Sequence, residues 1–236
     1  MNFASAFTPE RLQEALECLQ NEFPFAIWET LYSTILSTLF AIIIGLPLGI
    51  LLVTGEKNGI RPLPVGLMKV LNVVINFLRS VPFIILMVMV IPLTRVIVGT
   101  SVGTMASVVP LVVAAAPFVA RLVESSLREI NPNIIETAQA MGATPMQIVF
   151  RVLLPESVPS LITNFTLAIT TIMGYTAMSG AVGGGGLGKI AMTYGYNRYR
   201  YAVLYLAVIV LVLITQVMQS FGTWLARKCD KRLKSK

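Results

Sequence analysis

The sequence predicts an all-α membrane protein built from five transmembrane helices, and three observations lead there. Of its 236 residues, 56% are hydrophobic and 12% charged, far from the roughly 25% charge of soluble domains, and the mean hydropathy is +0.79. Five apolar stretches, near residues 30–53, 70–94, 104–123, 160–181 and 203–225, each reach the ~20 helical residues that a ~30 Å hydrocarbon core requires. Lysine and arginine are shared unequally between the segments that flank these stretches, as in an oriented membrane protein. Spans and connections use the whole length, so no separate soluble domain is expected.

Residues 1–26 precede the spans. They carry Glu10, Glu14, Glu17 and Glu22 and lack the apolar run of a signal peptide, so the first span is expected to be the insertion signal. Thr8 as N-cap, Pro9 at the first helical position and a stripe of Leu12, Leu16, Leu19 and Phe23 predict a short amphipathic helix on the outer membrane surface. The transmembrane domain then covers 27–226. Its second span holds Arg79 and ends at Arg95. Its third is expected to run past the bilayer through Arg121, Glu124 and Arg128, the last two one helical turn apart, until Asn131–Pro132 stops it. A basic tail, 227–236, closes the chain.

Five spans put the termini on opposite sides. One set of flanking segments holds Lys57, Arg61, Lys69, Arg79, Arg121, Arg128, Arg151, Arg227, Lys228, Lys231, Arg232, Lys234 and Lys236; the other holds Arg11, Arg95, Lys189, Arg198 and Arg200, a split of 13 to 5. The richer side belongs in the cytoplasm, which puts the N-terminus outside and the C-terminus and the loop at about 129–156 inside. The net charge of +7 then reads as a topology signal and a contact with anionic membrane lipid rather than with nucleic acid. Cys18 and Cys229 fall on opposite sides and are expected as free thiols. With no histidine in the chain, neither a metal site nor a catalytic constellation is expected.

The inner loop is the one mixed stretch of the chain. From Glu136 to Pro155 it reads ETAQAMGATPMQIVFRVLLP. Ile134, Ile135, Ala138 and Met141 are apolar positions of a first short helix, which Gly142 ends by permitting left-handed backbone. Thr144 as N-cap and Pro145 in the first turn begin a second helix that runs through Ile148, Val149 and Val152 and is expected to stop near Pro155. An ordered, part-apolar helical pair beside the membrane is a docking element.

The pattern Glu136-Thr137-Ala138, three residues, Gly142, nine residues, Val152-Leu153-Leu154-Pro155 resembles the EAA loop of bacterial ABC importer permeases of type I. The similarity extends from about Trp28 to Tyr196. It is closest to permeases of methionine importers, through NFLRSVPFIILMVMVIPLTRVIVGTSVG, AAAPFVARLVESSLREI and GYTAMSGAVGGGGLG. Thr137 stands where that family has alanine and Val152 where it has isoleucine; both keep size or apolarity. The resemblance implies that Glu136, Thr137, Ala138, Met141, Gly142, Ala143, Thr144 and Pro145 seat in a cleft of a cytoplasmic ATPase subunit and pass its motion to the spans.

A second motif points elsewhere and fails. Gly183–Lys189, GGGGLGK, has the spacing of a phosphate-binding loop, but Ile190 follows where a magnesium-binding Ser or Thr is needed, and no buried strand precedes it. It reads instead as a glycine break at the outer end of the fourth span. The tyrosines that follow, Tyr194, Tyr196, Tyr199 and Tyr201, form an interfacial aromatic belt. On the fourth span, small Gly174, Ala177 and Gly180 let helices approach and leave Tyr175 and Met178 as the bulky candidates for a constriction. Arg79 is either a snorkelling interfacial residue or a pore-lining one. The spans hold no carboxylate, which disfavours proton or sodium coupling.

These readings, with the resemblance, imply a non-enzymatic permease of the bacterial inner membrane that works as a homodimer by alternating access. The implied partners are a second copy of the chain, two cytoplasmic ATPase subunits that use ATP and Mg2+, an extracytoplasmic substrate-binding protein and membrane lipid. The implied substrate is methionine. The alternatives are another amino acid or small polar solute, or a channel or ion-coupled carrier of another class.

Overall fold

Backbone N–H and C=O groups find no water inside a bilayer, and a chain this apolar satisfies them within helices. The computed structural model describes residues 9–230, and the described residues contain helices and no strand. In order they are α1 (Pro9–Asn21), α2 (Phe23–Thr54), α3 (Val65–Ser80), α4 (Phe83–Met89), α5 (Ile91–Val98), α6 (Thr104–Arg128), α7 (Pro132–Ala140), α8 (Pro145–Ile148), α9 (Leu154–Ser179), α10 (Gly186–Ile190) and α11 (Tyr201–Cys229). Among them, four stretches are long and apolar enough to cross a membrane: Phe23–Thr54, Thr104–Arg128, Pro145–Val182 and Tyr201–Cys229. The bent pair α3 and α4 makes a fifth. The expected cap Thr8, the side chain of Leu12 and the tail lysines and arginine from Lys231 onward lie outside the described residues.

Three expectations change. The first spanning helix begins at Phe23 rather than near residue 30 and runs for 32 residues, about 48 Å at 1.5 Å per residue; Glu29 therefore lies within this helix. The second span is three helices, not one. Val81 (φ −76, ψ 126) and Pro82 (φ −56, ψ 135) are both extended, because proline disfavours helical backbone in the residue before it, and α5 ends at Gly99 with φ +82. The helix that starts at Pro145 does not stop near Pro155. A π-helical turn, Val149–Leu153, shifts the hydrogen-bond register, with the Leu154 N–H bonding to the Val149 carbonyl, and α9 follows directly. Pro155 thus falls in the first turn of a new register, the position that tolerates a missing N–H.

The chain forms two compact units. One comprises the chain up to Thr38, Pro82–Val112 and Ile169–Met218; the other comprises Leu39–Val81, Val113–Ala168 and the chain from Gln219 onward. In the first unit, α1 buries Ala15 in a cluster with Phe23, Ala26, Leu187, Ile190 and Val203, while Cys18 and Leu19 pack against it. Leu16 is 56% exposed. Several hydroxyls of α2 in this unit are buried and turn back on their own helix: Ser33 bonds to the Glu29 carbonyl at 2.8 Å and Thr38 to the Thr34 carbonyl at 2.7 Å. Back-bonding of this kind lets small polar residues sit at tight helix contacts, while the buried Ser37 hydroxyl makes no such bond.

The second unit is held by close helix contact and by charge. A Cβ on Gly45 would stand 2.9 Å from the Ala116 carbonyl oxygen, and one on Gly49 would stand 2.6 Å from that of Ala120, so α2 and α6 pack almost backbone to backbone, a spacing only small residues allow. Beside this contact, Arg121 bonds Glu124 at 2.6 Å, Asn72 at 2.8 Å and Asn76 at 2.9 Å. Arg128 joins Glu124 at 2.9 Å and Glu56 at 2.6 Å. Arg121 and Glu124 keep only 20% and 13% of their side-chain surface exposed, an arrangement that survives in apolar surroundings because each charge is paired and hydrogen-bonded.

Candidate functional site

The expected docking loop is built as its sequence indicates, in the second unit. After α6, Ile130 is buried, and the Asn131 side chain accepts from the Asn133 N–H at 3.0 Å, capping α7 with Pro132 in its first turn. None of the residues of α7 is buried. Glu136 and Thr137 face solvent, and Ile135 and Ala138 are half-buried. Met141 is 82% exposed, so Ala138 and Met141 differ in exposure. The Thr137 hydroxyl donates to the Asn133 carbonyl at 2.7 Å, so threonine at this position adds no free donor.

The turn that follows is defined by its hydrogen bonds. Gly142 has φ +76, its N–H bonds to the Gln139 carbonyl at 2.9 Å, and the Ala143 N–H bonds to the Ala138 carbonyl at 3.1 Å. This is a Schellman motif, which needs left-handed backbone at the glycine. Thr144 and Gln147 then form a reciprocal capping box: the Gln147 N–H donates to the Thr144 hydroxyl at 3.4 Å, and the Thr144 N–H donates to the Gln147 side chain at 2.8 Å. Pro145 takes the first helical turn. Ile148, Val149 and Leu153 are buried and root the loop in its unit, whereas Met146, 65% exposed, is unburied like Met141. The loop is thus ordered by its own hydrogen bonds and leaves two adaptable methionines unburied.

The candidate constriction lies in the first unit. Tyr175 is half-buried and stacks on Phe83 with ring centres 4.7 Å apart and planes 6° apart. Met178 is 47% exposed. The small residues around them divide: α10 packs closely on Gly180, where a Cβ would fall 2.8 Å from the Gly188 Cα, whereas no atom lies within 4 Å of a Cβ on Gly174. Gly174 faces open space in this chain rather than a helix contact. Arg79 belongs to the other unit, exposed in the last turn of α3, where a cation complements the helix dipole.

The family model described as the inner membrane component of binding-protein-dependent transport systems matches residues 65–235. This chain belongs to that family. Its relatives include a probable D-methionine transport system permease protein from Vibrio cholerae, 46% identical over 88% of this chain and 92% of that one. The Pasteurella multocida protein of the same description is 49% identical over 86% and 94%, and the D-methionine permease of Escherichia coli K12 is 51% identical over 65% and 70%. A solved structure of the MetNI methionine ABC transporter in inward-facing conformations superposes with a TM-score of 0.85 at 47% identity, covering 87% of this chain and 94% of that one.

Two features of this transport component escaped the sequence reading. In the second unit, a cavity of about 450 Å³ is lined by Ser125, Ser126, Glu129, Ser160 and Asn164 among others. Its wall is set by Asn164, whose amide donates to the Ser126 hydroxyl at 2.7 Å and to the Leu122 carbonyl at 3.2 Å. The recurrence of Ser157, Ser160 and Asn164 at helical spacing was the signal for it. In the first unit, Glu29 accepts hydrogen bonds from Thr104 and Gly186. The sequence signal there was weak, a single carboxylate at the edge of an apolar run.

Proposed function

We propose that this chain is the membrane-spanning subunit of an ATP-driven importer of methionine, in its D and L forms and close analogues. The ATPase activity, with its ATP and Mg2+, resides in a separate subunit. Two copies pair in the bacterial inner membrane, two ATPase subunits dock on the loops around α7, and an extracytoplasmic binding protein delivers substrate. The 13 to 5 division of basic residues supports an outer N-terminus and an inner C-terminus. Glu136, Thr137, Ala138, Met141, Gly142, Ala143, Thr144 and Pro145 form the docking surface. Tyr175 and Met178 form the constriction, on a stripe of α9 whose exposed members Thr163, Leu167, Gly174 and Met178 recur at helical spacing. Arg79 completes the candidate set as a snorkelling residue at the inner interface.

One observation carries this reading: the exposed loop around α7 is preformed, with Gly142 at φ +76 closing α7 and Thr144 and Gln147 joined in a reciprocal capping box. The names and identities of the relatives support methionine as cargo. The test is uptake of labelled methionine into vesicles holding the complete complex, with unlabelled D-methionine, L-methionine and other amino acids as competitors. Competition by both methionine isomers and by no unrelated amino acid is expected; equal competition by small polar solutes at large would reject the substrate.

A further inference from the structure

Glu29 holds three segments of the first unit at once. One carboxylate oxygen accepts from the Thr104 hydroxyl at the start of α6, and the other accepts from the Gly186 N–H at the start of α10 at 2.8 Å. The next residue of α2, Thr30, accepts from the Leu187 N–H at 2.9 Å while its own hydroxyl donates to the Ala26 carbonyl at 2.8 Å. The fit is close. Gly186 has φ +76, and a Cβ on Gly185 would stand 2.8 and 2.9 Å from the two Glu29 oxygens. The far side of α10 is packed backbone to backbone on the end of α9, where a Cβ on Gly188 would lie 2.8 Å from the Ala177 carbonyl carbon. Ala177 directly precedes Met178.

We propose that Glu29 is a positioning residue for transport: by clasping α2, α6 and α10 together it fixes the end of α9 that bears Tyr175 and Met178 and keeps it closed until the docking loops are driven. Charge-assisted bonds in apolar surroundings are strong, and baring either oxygen there is costly. The three segments consequently move as one body or not at all. A phosphate-type role for the glycine stretch is replaced by this one, since its Gly186 and Leu187 N–H groups are aimed at a carboxylate and a threonine hydroxyl of the same chain.

The inference rests on the transport reading above. The complex of this chain with its ATPase subunits is placed in vesicles, and three quantities are read: passive efflux of preloaded methionine without ATP, ATP hydrolysed per methionine imported, and the thermal unfolding midpoint. Glu29→Ala removes the clasp, and Gly185→Ala pushes a methyl into it with the charge intact. Both are expected to raise passive efflux on the order of tenfold, the effect of one lost bond to a charged group, and to raise the ATP used per methionine. Glu29→Gln, which keeps both contacts as neutral bonds by offering a carbonyl to Gly186 and an amide to Thr104, is expected to leak and to waste ATP less than Glu29→Ala. Thr104→Val, which removes one arm, is expected to fall between and serves if Glu29→Ala does not assemble. Variants that lower the unfolding midpoint while efflux and ATP per methionine stay at wild-type values would overturn the proposal. Wild-type vesicles that import no methionine with ATP, ATPase and binding protein present would overturn the transport reading itself.

Discussion

Replacing Gly142 with leucine separates folding from coupling. The residue sits at φ +76, where a side-chain-bearing residue costs roughly 1–2 kcal/mol, and its turn depends on the two bonds of 2.9 and 3.1 Å made by Gly142 and Ala143. No atom lies within 4 Å of a Cβ there, so no overpacking cost is added. A penalty of this size is small beside a typical stability of about 5–15 kcal/mol, yet it shifts a local turn equilibrium roughly 5- to 30-fold. The added side chain also projects beside Met141. Gly142→Leu is therefore expected to insert and fold but to lose ATPase subunits on purification or to hydrolyse ATP without uptake. Gly142→Asn, which tolerates left-handed backbone, is expected to keep more of both. Thr223→Leu on α11 is the control: it is exposed and its hydroxyl bonds only back to the Gln219 carbonyl, at 2.9 Å. The assay is co-purification of the ATPase subunit together with vesicle uptake. Wild-type assembly and transport by Gly142→Leu would refute the coupling role of the loop.

Three further outcomes are expected. Met178 is 47% exposed, so Met178→Ala should leave stability within ~0.5 kcal/mol while changing the transport rate or admitting leak; unchanged flux and unchanged substrate-stimulated ATPase activity would remove it from the gate. Arg121→Leu strands the bonds to Asn72 and Asn76 at 2.8 and 2.9 Å and should cost about 3 kcal/mol in denaturant unfolding; a loss under ~0.5 kcal/mol would show that the network is ornamental. Burial first, and then the Glu22 carboxylate, raise the pKa of the Cys18 thiol, with Arg200 opposing them. Because the thiolate is the reactive form, impermeant maleimide on intact cells should label Cys18 slowly at neutral pH and faster as the pH rises, and should not label Cys229. Labelling of Cys229 with protection of Cys18 would invert the orientation.

What the sequence made legible was local and polar. Asn131–Pro132, Gly142 and Thr144–Pro145 are punctuation with a single physical meaning each, and α7, its left-handed end and the capped start of α8 fall where those residues put them. The run of α6 through Arg121, Glu124 and Arg128 followed in the same way from charges spaced for one helical face. What stayed hidden was masked by apolarity. The break at Val81–Pro82 lies in a stretch that hydropathy reads as one span, and the register shift before Pro155 is a backbone event that no side chain announces. Glu29 was placed ahead of the span because a window of apolar residues begins after it. Gly174 and Gly180 look alike in sequence, yet only Gly180 meets another backbone, since a small residue permits a contact without requiring one.

The source of the driving force separates a partner-driven conduit from an ion-coupled carrier. Vesicles containing this chain, the ATPase subunit and the binding protein, held without any ion gradient, are loaded with ATP on the ATPase side, and labelled methionine uptake is measured as each component is omitted in turn. Uptake that requires ATP, the ATPase subunit and the binding protein together, and that ignores proton and sodium ionophores, is the predicted result. Uptake that survives omission of the ATPase subunit, or that collapses with the ionophores, would contradict the central claim that this chain is a conduit driven by a partner.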